Sequence, residues 1–427
     1  MQLLSLPVEL LLEIIKHVED GTTLRPPYLQ GKHDDSARGP PTNLASLSCA
    51  SRELHALCEP TTSRIISEIS LQREADTKTA EGHFRPDTTL LQLAAMQDNV
   101  PLAARLLALG ADANLSREDF CGCMYDEFRL QSFSPLTHAV RASSAPLARL
   151  LVARGAAVDS VQYPSGRAAL HHAAARGDLA MAEVLLDLGA SVDVRTVDFE
   201  MDQVTLYPRG FEALRTPLFF AVEAGHHAVA RLLLAKGADV AARDDRGRTC
   251  VHYLGREEIY WSRSEMMVPV QGEDDVTQMG RLLVEAQAEI FAVDMKGRSG
   301  LFHAVKQGLF HAIPFHLSFG LPSVDNKGCT PLHHMPYTYQ EAEIANMIQQ
   351  FLQAGFDLDA RNNNGTTPTG QAIFSGRVPG IIMALLKAGA RRDIVDNAGK
   401  TLADLAKGYY EGQKEELNRL LQMVVPV

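Results

Sequence analysis

Basic runs, long apolar runs and catalytic signatures are all missing from this 427-residue chain. The formal net charge is −11 and no cluster of lysine and arginine offsets it. Nucleic acid is therefore excluded as an expected partner, because phosphate binding needs a basic stripe. Leu10-Leu11-Leu12 is interrupted by Glu9 and Glu13 and has no basic segment before it. It reads neither as a secretory segment nor as a membrane span, and no membrane partner is expected. Tryptophan occurs once, at Trp261. The six cysteines (Cys49, Cys58, Cys121, Cys123, Cys250, Cys329) follow no regular spacing, which argues for reduced thiols and a compartment of cytoplasm or nucleus.

Enzyme chemistry is as poorly served. There is no glycine-rich phosphate loop and no Gly-x-Ser-x-Gly elbow. Acidic residues are plentiful, but they fall in short polar turns such as Asp193 and Asp244-Asp245, where such side chains favour tight bends. Cys121-Gly122-Cys123, even with Asp119 or Asp126, supplies too few ligands for a closed zinc site. The expectation is a non-catalytic chain with no cofactor and no metal.

What is present is a repeat. In Arg215–Asp244, Thr216-Pro217 reads as a helix start with a threonine cap and proline at the first helical position. Leu218, Ala221 and Val222 follow at helical spacing, and Gly225 breaks the run. A second helix carries Val229, Leu232 and Leu233 and stops at Gly237, where a left-handed residue is needed. Similar starts stand at Ser134-Pro135-Leu136, Ala168-Ala169-Leu170, Thr249-Cys250-Val251, Ser299-Gly300-Leu301 and Thr330-Pro331-Leu332, with weaker ones at Thr89-Leu90, Thr367-Pro368 and Thr401-Leu402. Leu136 to Leu170 spans 34 residues, Leu218 to Val251 33, and Thr369 to Leu402 33. Each unit is too small to bury its own apolar faces and needs neighbours.

A period of roughly 33 residues, with a T-P-L-H-type start and an L-L-x-x-G-A-D-V-type ending, resembles the ankyrin repeat. Pro331-Leu332-His333 and Leu170-His171-His172-Ala173-Ala174 come closest to it. The fold class expected is all-α: a curved ankyrin-repeat solenoid of helix pairs with short hairpin-like loops. It comprises about nine units over 86–424, with insertions near 115–131, 196–214 and 255–278. In such units the histidines of His171-His172 and His333-His334 fall where an imidazole bonds turn backbone. His226-His227 falls between the two helices of its unit. All three pairs read as structural.

The first sixty residues follow a different pattern. Pro7 fits the first turn of a helix, Glu9 suits its dipole, and Leu10, Leu11, Ile14, Ile15 and Val18 form a wide apolar band. A segment rich in proline, glycine and charge spans 19–42, and Leu44, Leu47, Ala50 and Leu54 then share a face. Leu6-Pro7-Val8-Glu9-Leu10-Leu11 with Leu44-Ala45-Ser46-Leu47 and Ser51-Arg52-Glu53-Leu54 resembles the F-box. The long 19–42 loop departs from that motif's usual spacing. Together the two patterns resemble fungal-type F-box proteins with a C-terminal ankyrin-repeat array. The resemblance implies a small helical module at 1–60, a connecting helix and linker at 61–85, and docking to a Skp-family adaptor of a cullin–RING ubiquitin ligase. Leu6, Pro7, Leu10, Leu11, Ile14, Ile15, Leu44, Leu47, Arg52 and Leu54 would carry that docking.

The expected role is a substrate-recognition subunit, monomeric on its own, whose array holds an unknown target protein. Candidate exposed contacts near helix starts are Arg167, Arg215, Asp245, Arg246, Lys296, Lys327 and Asn363, with Trp261 in an insertion. The rival is a plain ankyrin scaffold whose N-terminal helices only cap the array.

Overall fold

The structure is a computed structural model. It describes residues 90–406 apart from 109–110, 115–132, 163–165, 198–212, 257–272, 321–323, 337–340 and 376–378. The chain divides into two units, Met1–Leu44 and Ala45–Val427, and everything described belongs to the second. The F-box-like segment, the 61–85 linker, the 115–131 insertion and Trp261 lie outside the described residues.

Among the described residues the chain is helical without strands; one isolated bridge joins Gln162 to Arg167. Four helix pairs come first: Leu90–Met96 with Val100–Ala108, Pro135–Arg141 with Ala145–Ala153, Ala169–Arg176 with Leu179–Asp187, and Pro217–Glu223 with His227–Ala235. In the next unit a single 3-10 turn, Cys250–Tyr253, replaces the first helix and Glu273–Glu285 is the second. Gly300–Gln307 then pairs with Phe310–Leu317, the 3-10 turn Pro331–His334 with Glu341–Gln353, and Pro368–Phe374 with Pro379–Lys387. Leu402–Ala406 starts a ninth unit. First helices pack on first helices, and second on second, along the series.

This stacking follows from the sequence pattern. Small residues occupy the innermost positions of the first helices, as at Ala139-Val140, Ala173-Ala174, Ala221-Val222 and Ala304-Val305, all buried. Second helices bury branched or long side chains one turn apart: Leu147 and Leu151, Met181 and Leu185, Val229 and Leu233, Met279 and Leu283, Ile381 and Leu385. Each of these larger side chains contributes roughly 1.5–3 kcal/mol by leaving water. No unit owns a closed core, so the core runs the length of the stack.

Helix starts are held in more than one way. Ser134 and Thr367 cap with their own oxygens, accepting from the backbone N–H of Thr137 at 3.3 Å and Gly370 at 3.2 Å. Thr249 and Thr330 instead donate their backbone N–H to Nδ1 of His252 and His333, 3.0 Å each. Thr216 departs from the expectation of a threonine cap: it stands at the cap position, but its hydroxyl makes no cap hydrogen bond. The third helical residue there is the buried Phe219, not histidine, so this start lacks the imidazole cap as well and keeps the backbone bond from Phe219 N–H to the Thr216 carbonyl at 3.0 Å.

The insertions also differ from the sequence reading. Glu273-Asp274-Asp275, expected inside the third insertion, opens the helix Glu273–Glu285, where carboxylates favour the positive end of the dipole. At the second insertion the ends are pinned together. Leu214 N–H donates to the Thr196 carbonyl, and Thr196 N–H to that of Arg215, both at 2.9 Å. The described ends of the insertion thus form a closed stem.

Candidate interaction surface

Between units the chain forms fingers, and among the described residues five of them share one loop. Its first residue is Asp244, Asp294, Asp325, Asn362 or Asp396, and glycine stands fourth with φ of 70° to 75° (Gly247, Gly297, Gly328, Gly365, Gly399). The first side chain accepts from the backbone N–H two and four residues on, as Asp294 does from Lys296 at 2.8 Å and Arg298 at 3.0 Å. Its own N–H donates to the carbonyl of the fifth residue, at 2.9 Å in Asp294 and Asp325. An acceptor-rich short side chain followed by glycine is the composition this turn demands.

The tips are tied into a row. Met295 N–H donates to Arg246 carbonyl, Asn326 to Lys296, Asn363 to Lys327 and Asn397 to Asn364, all at 2.9–3.0 Å. Asparagine side chains reinforce it, Asn326 Nδ2 donating to Met295 carbonyl at 3.2 Å and Asn397 Nδ2 to Asn363 carbonyl at 3.0 Å. Histidine ties the finger bases. His171, His252 and His333 accept at Nδ1 from their own helix start and donate from Nε2 to the carbonyl of Arg215, Arg298 and Thr366 in the next unit, at 3.0–3.1 Å. Burial pushes His171 down to about 3 and His252 to about 4, which keeps both rings neutral for this double role.

The row exposes charge and apolar surface side by side. Asp245, Arg246, Lys296, Lys327 and Asn363 are exposed at the tips, and Asn363 also takes part in the bonds between fingers. Phe291, Val293 and Met295 alternate outward from an extended finger while Ala292 and Asp294 point inward; Met295 is 71% exposed and Val324 49%. Sequence reasoning missed these four, because a two-residue alternation this short is hidden inside the repeat's own ending.

Arg215 is a correction. Expected as an exposed contact, it is buried. Its guanidinium lies 4.2 Å from the Phe220 ring centre and 4.4 Å from that of Tyr253, and it pairs with Glu223. Arg256 reaches the same buried carboxylate at 3.2 Å. Two guanidinium groups offset the cost of desolvating Glu223. Arg167, also expected to be exposed, is half-buried, its guanidinium 4.4 Å from the centre of the Phe220 ring. Leu6, Pro7, Leu10, Leu11, Ile14, Ile15, Leu44, Leu47, Arg52, Leu54 and Trp261 lie outside the described residues.

Among the described residues one group of metal-ligating types converges. Single ligand atoms of Asp325, Cys329 and His334 lie within 4.8 Å of one another. The signal was present as spacings of four and nine residues from the loop's first position, legible only once the fingers are aligned on one another. Asp294 shows the ordinary arrangement. Burial alone would raise its carboxyl, but bonds from His303 and Arg298 outweigh that and hold it well below the usual carboxylate range.

The family described as Ankyrin repeats (3 copies) matches residues 91–196, and that described as Ankyrin repeat matches 214–245. The chain is similar to Ankyrin repeat protein nuc-2 of Neurospora crassa, 28% identical over 259 residues, which is 56% of this chain and 22% of that one. It is similar to Protein phosphatase 1 regulatory subunit 27 of Mus musculus, 31% identical over 112 residues, 26% of this chain and 62% of that one. It thus spans less than two thirds of either relative. Among solved structures, the ankyrin repeat domain of Bcl-3 matches at 22% identity and a TM-score of 0.38, over 71% of this chain and all of that one. Ankyrin repeats are present, and the described fold is an all-α ankyrin-repeat solenoid. Repeats of this kind indicate a scaffold for protein–protein interaction.

Proposed function

We propose that this chain is the substrate-recognition subunit of a Skp–cullin–F-box ubiquitin ligase, located in cytoplasm or nucleus. The array holds a target protein, and the N-terminal segment docks a Skp-family adaptor. One observation carries the binding half: Arg246, Lys296 and Lys327 stand exposed on hydrogen-bonded tips beside Met295 and Val324. A fixed row of basic and apolar side chains suits a protein surface with acidic and apolar patches, since little ordering cost remains on the array's side. What supports the docking half is the sequence at Leu6–Leu11 and Leu44–Leu54. The contribution to ubiquitin transfer is proximity, with the chemistry done by other subunits.

The test is co-expression with a Skp-family adaptor. Wild type is expected to co-purify with the adaptor, and a Leu6→Asp/Pro7→Ala double variant to lose it. A folded wild type that never retains the adaptor sinks the ligase reading. It leaves the rival, an ankyrin scaffold whose N-terminal helices only cap the array.

A further inference from the structure

The five fingers match charge within the loop, with one exception. Where the first residue is aspartate, the fifth is a cation: Arg248 after Asp244, Arg298 after Asp294 and Lys400 after Asp396. The two arginines close on their carboxylates at 2.7 Å and 2.6 Å. Where the first residue is the uncharged Asn362, the fifth is the uncharged Thr366. At Asp325 the fifth residue is Cys329. The carboxylate is buried there all the same, its side chain 4% exposed, with Nε2 of His334 at 3.0 Å. The imidazole is shared with the Asp294 loop, where His303 Nε2 stands 3.1 Å from the carboxylate; what changes here is that a thiol replaces the arginine beside a buried acid.

We propose that Asp325, Cys329 and His334 bind a divalent cation of the zinc type. Thiolate, imidazole and carboxylate are each zinc ligands, and the thiolate disfavours magnesium and calcium. Carboxylate and thiolate together balance the two charges of the ion, so the filled site is neutral in a place where an unmatched charge is expensive. Binding releases the thiol proton of Cys329 to solvent, and His334 ligates as neutral imidazole through one ring nitrogen. A tetrahedral zinc sets its ligands ~3.5 Å apart, so the three atoms, now within 4.8 Å, close by side-chain adjustments of about an ångström. Arg298 lies close enough to act on His334 electrostatically, but its guanidinium is held by Asp294. Asn362 donates to the Cys329 sulfur at 3.5 Å, and its oxygen is taken by the N–H groups of Asn364 and Thr366. The fourth coordination position therefore belongs to water or to a group on a partner.

The experiment titrates the full chain with Co²⁺ and, separately, Zn²⁺. Wild type is expected to bind one Co²⁺ with a thiolate-to-cobalt charge-transfer band that Zn²⁺ displaces. The band is expected to persist in Cys121→Ser/Cys123→Ser. Cys329→Arg and His334→Tyr install the residues that the Asp244 finger carries at those positions, Arg248 and Tyr253; Cys329→Ser is the minimal change. Each is expected to weaken the metal by more than the ~10–100-fold that losing an outer partner costs, with the helical circular dichroism unchanged. Absence of a thiolate band in wild type, or its survival in folded Cys329→Arg or Cys329→Ser, overturns the assignment.

Discussion

The helices and the fingers of the same units are held by opposite means. The helices bury alanine, valine and leucine with little hydrogen bonding between units. The fingers bury little apolar surface and are tied by backbone N–H groups passing from tip to tip. Apolar packing is non-directional and grows with area, so it supplies stability and tolerates drift in detail. Hydrogen bonds are directional and each contributes modestly, so they fix geometry. The stack therefore sets whether the array folds, and the fingers set what it presents.

The hardest blow to this contrast falls on the helices. Leu170→Ala, at a side chain with no exposure, is expected to cost ~2–5 kcal/mol, read by denaturant unfolding. A loss comparable to that of a tip substitution would break the distinction.

Acid strikes the polar ties next. Burial holds His252 at about 4 and His171 at about 3, below the ordinary 6.5 of the unfolded chain. Between those values the unfolded state binds more protons than the folded one, so stability falls as pH drops. It is complete above pH 6.5 and declines from there toward pH 4 by about 1.4 kcal/mol per pH unit for each such histidine. Unfolding midpoints at pH 7.5, 6 and 5 measure this, and a flat profile contradicts it.

Glycine substitutions sharpen the comparison. Gly328 and Gly237 both have positive φ, but an added Cβ at Gly328 would stand 2.5 Å from Asn363 Oδ1 while one at Gly237 meets nothing within 4 Å. Both alanine variants incur the left-handed penalty of ~1–2 kcal/mol. Gly328→Ala is expected to cost more, because it also pushes neighbouring tips apart; equal unfolding midpoints would mean the tips are not coupled. The smallest effect is expected for Met295→Asp/Lys296→Glu, within about 0.5 kcal/mol of wild type in stability. A larger loss would show that the exposed row is structural.

How legible these regions were in sequence follows the same divide. Helix starts such as Thr330-Pro331-Leu332 and stops such as Gly237 were readable because caps, proline and glycine act locally. The burial of Arg215 was not: Phe220 and Glu223 stand on the helix it precedes, but Tyr253 and Arg256, which complete the cluster, come from the next unit and are brought there by stacking. The Asp325, Cys329 and His334 group lay hidden because its parts are ordinary repeat positions, and only the missing arginine marks it. The apolar outward face at Phe291 to Met295 escaped because so short an alternation is hidden inside the repeat's own ending.

Amide hydrogen exchange compares the two regions in one experiment. If the fingers form one preorganised surface, the N–H groups of Met295, Asn326, Asn363 and Asn397 exchange slowly despite their exposed side chains, within reach of the helical amides of Leu233 and Leu385. Exchange at those four tips as fast as in an unstructured chain, with the helices still protected, would contradict the account.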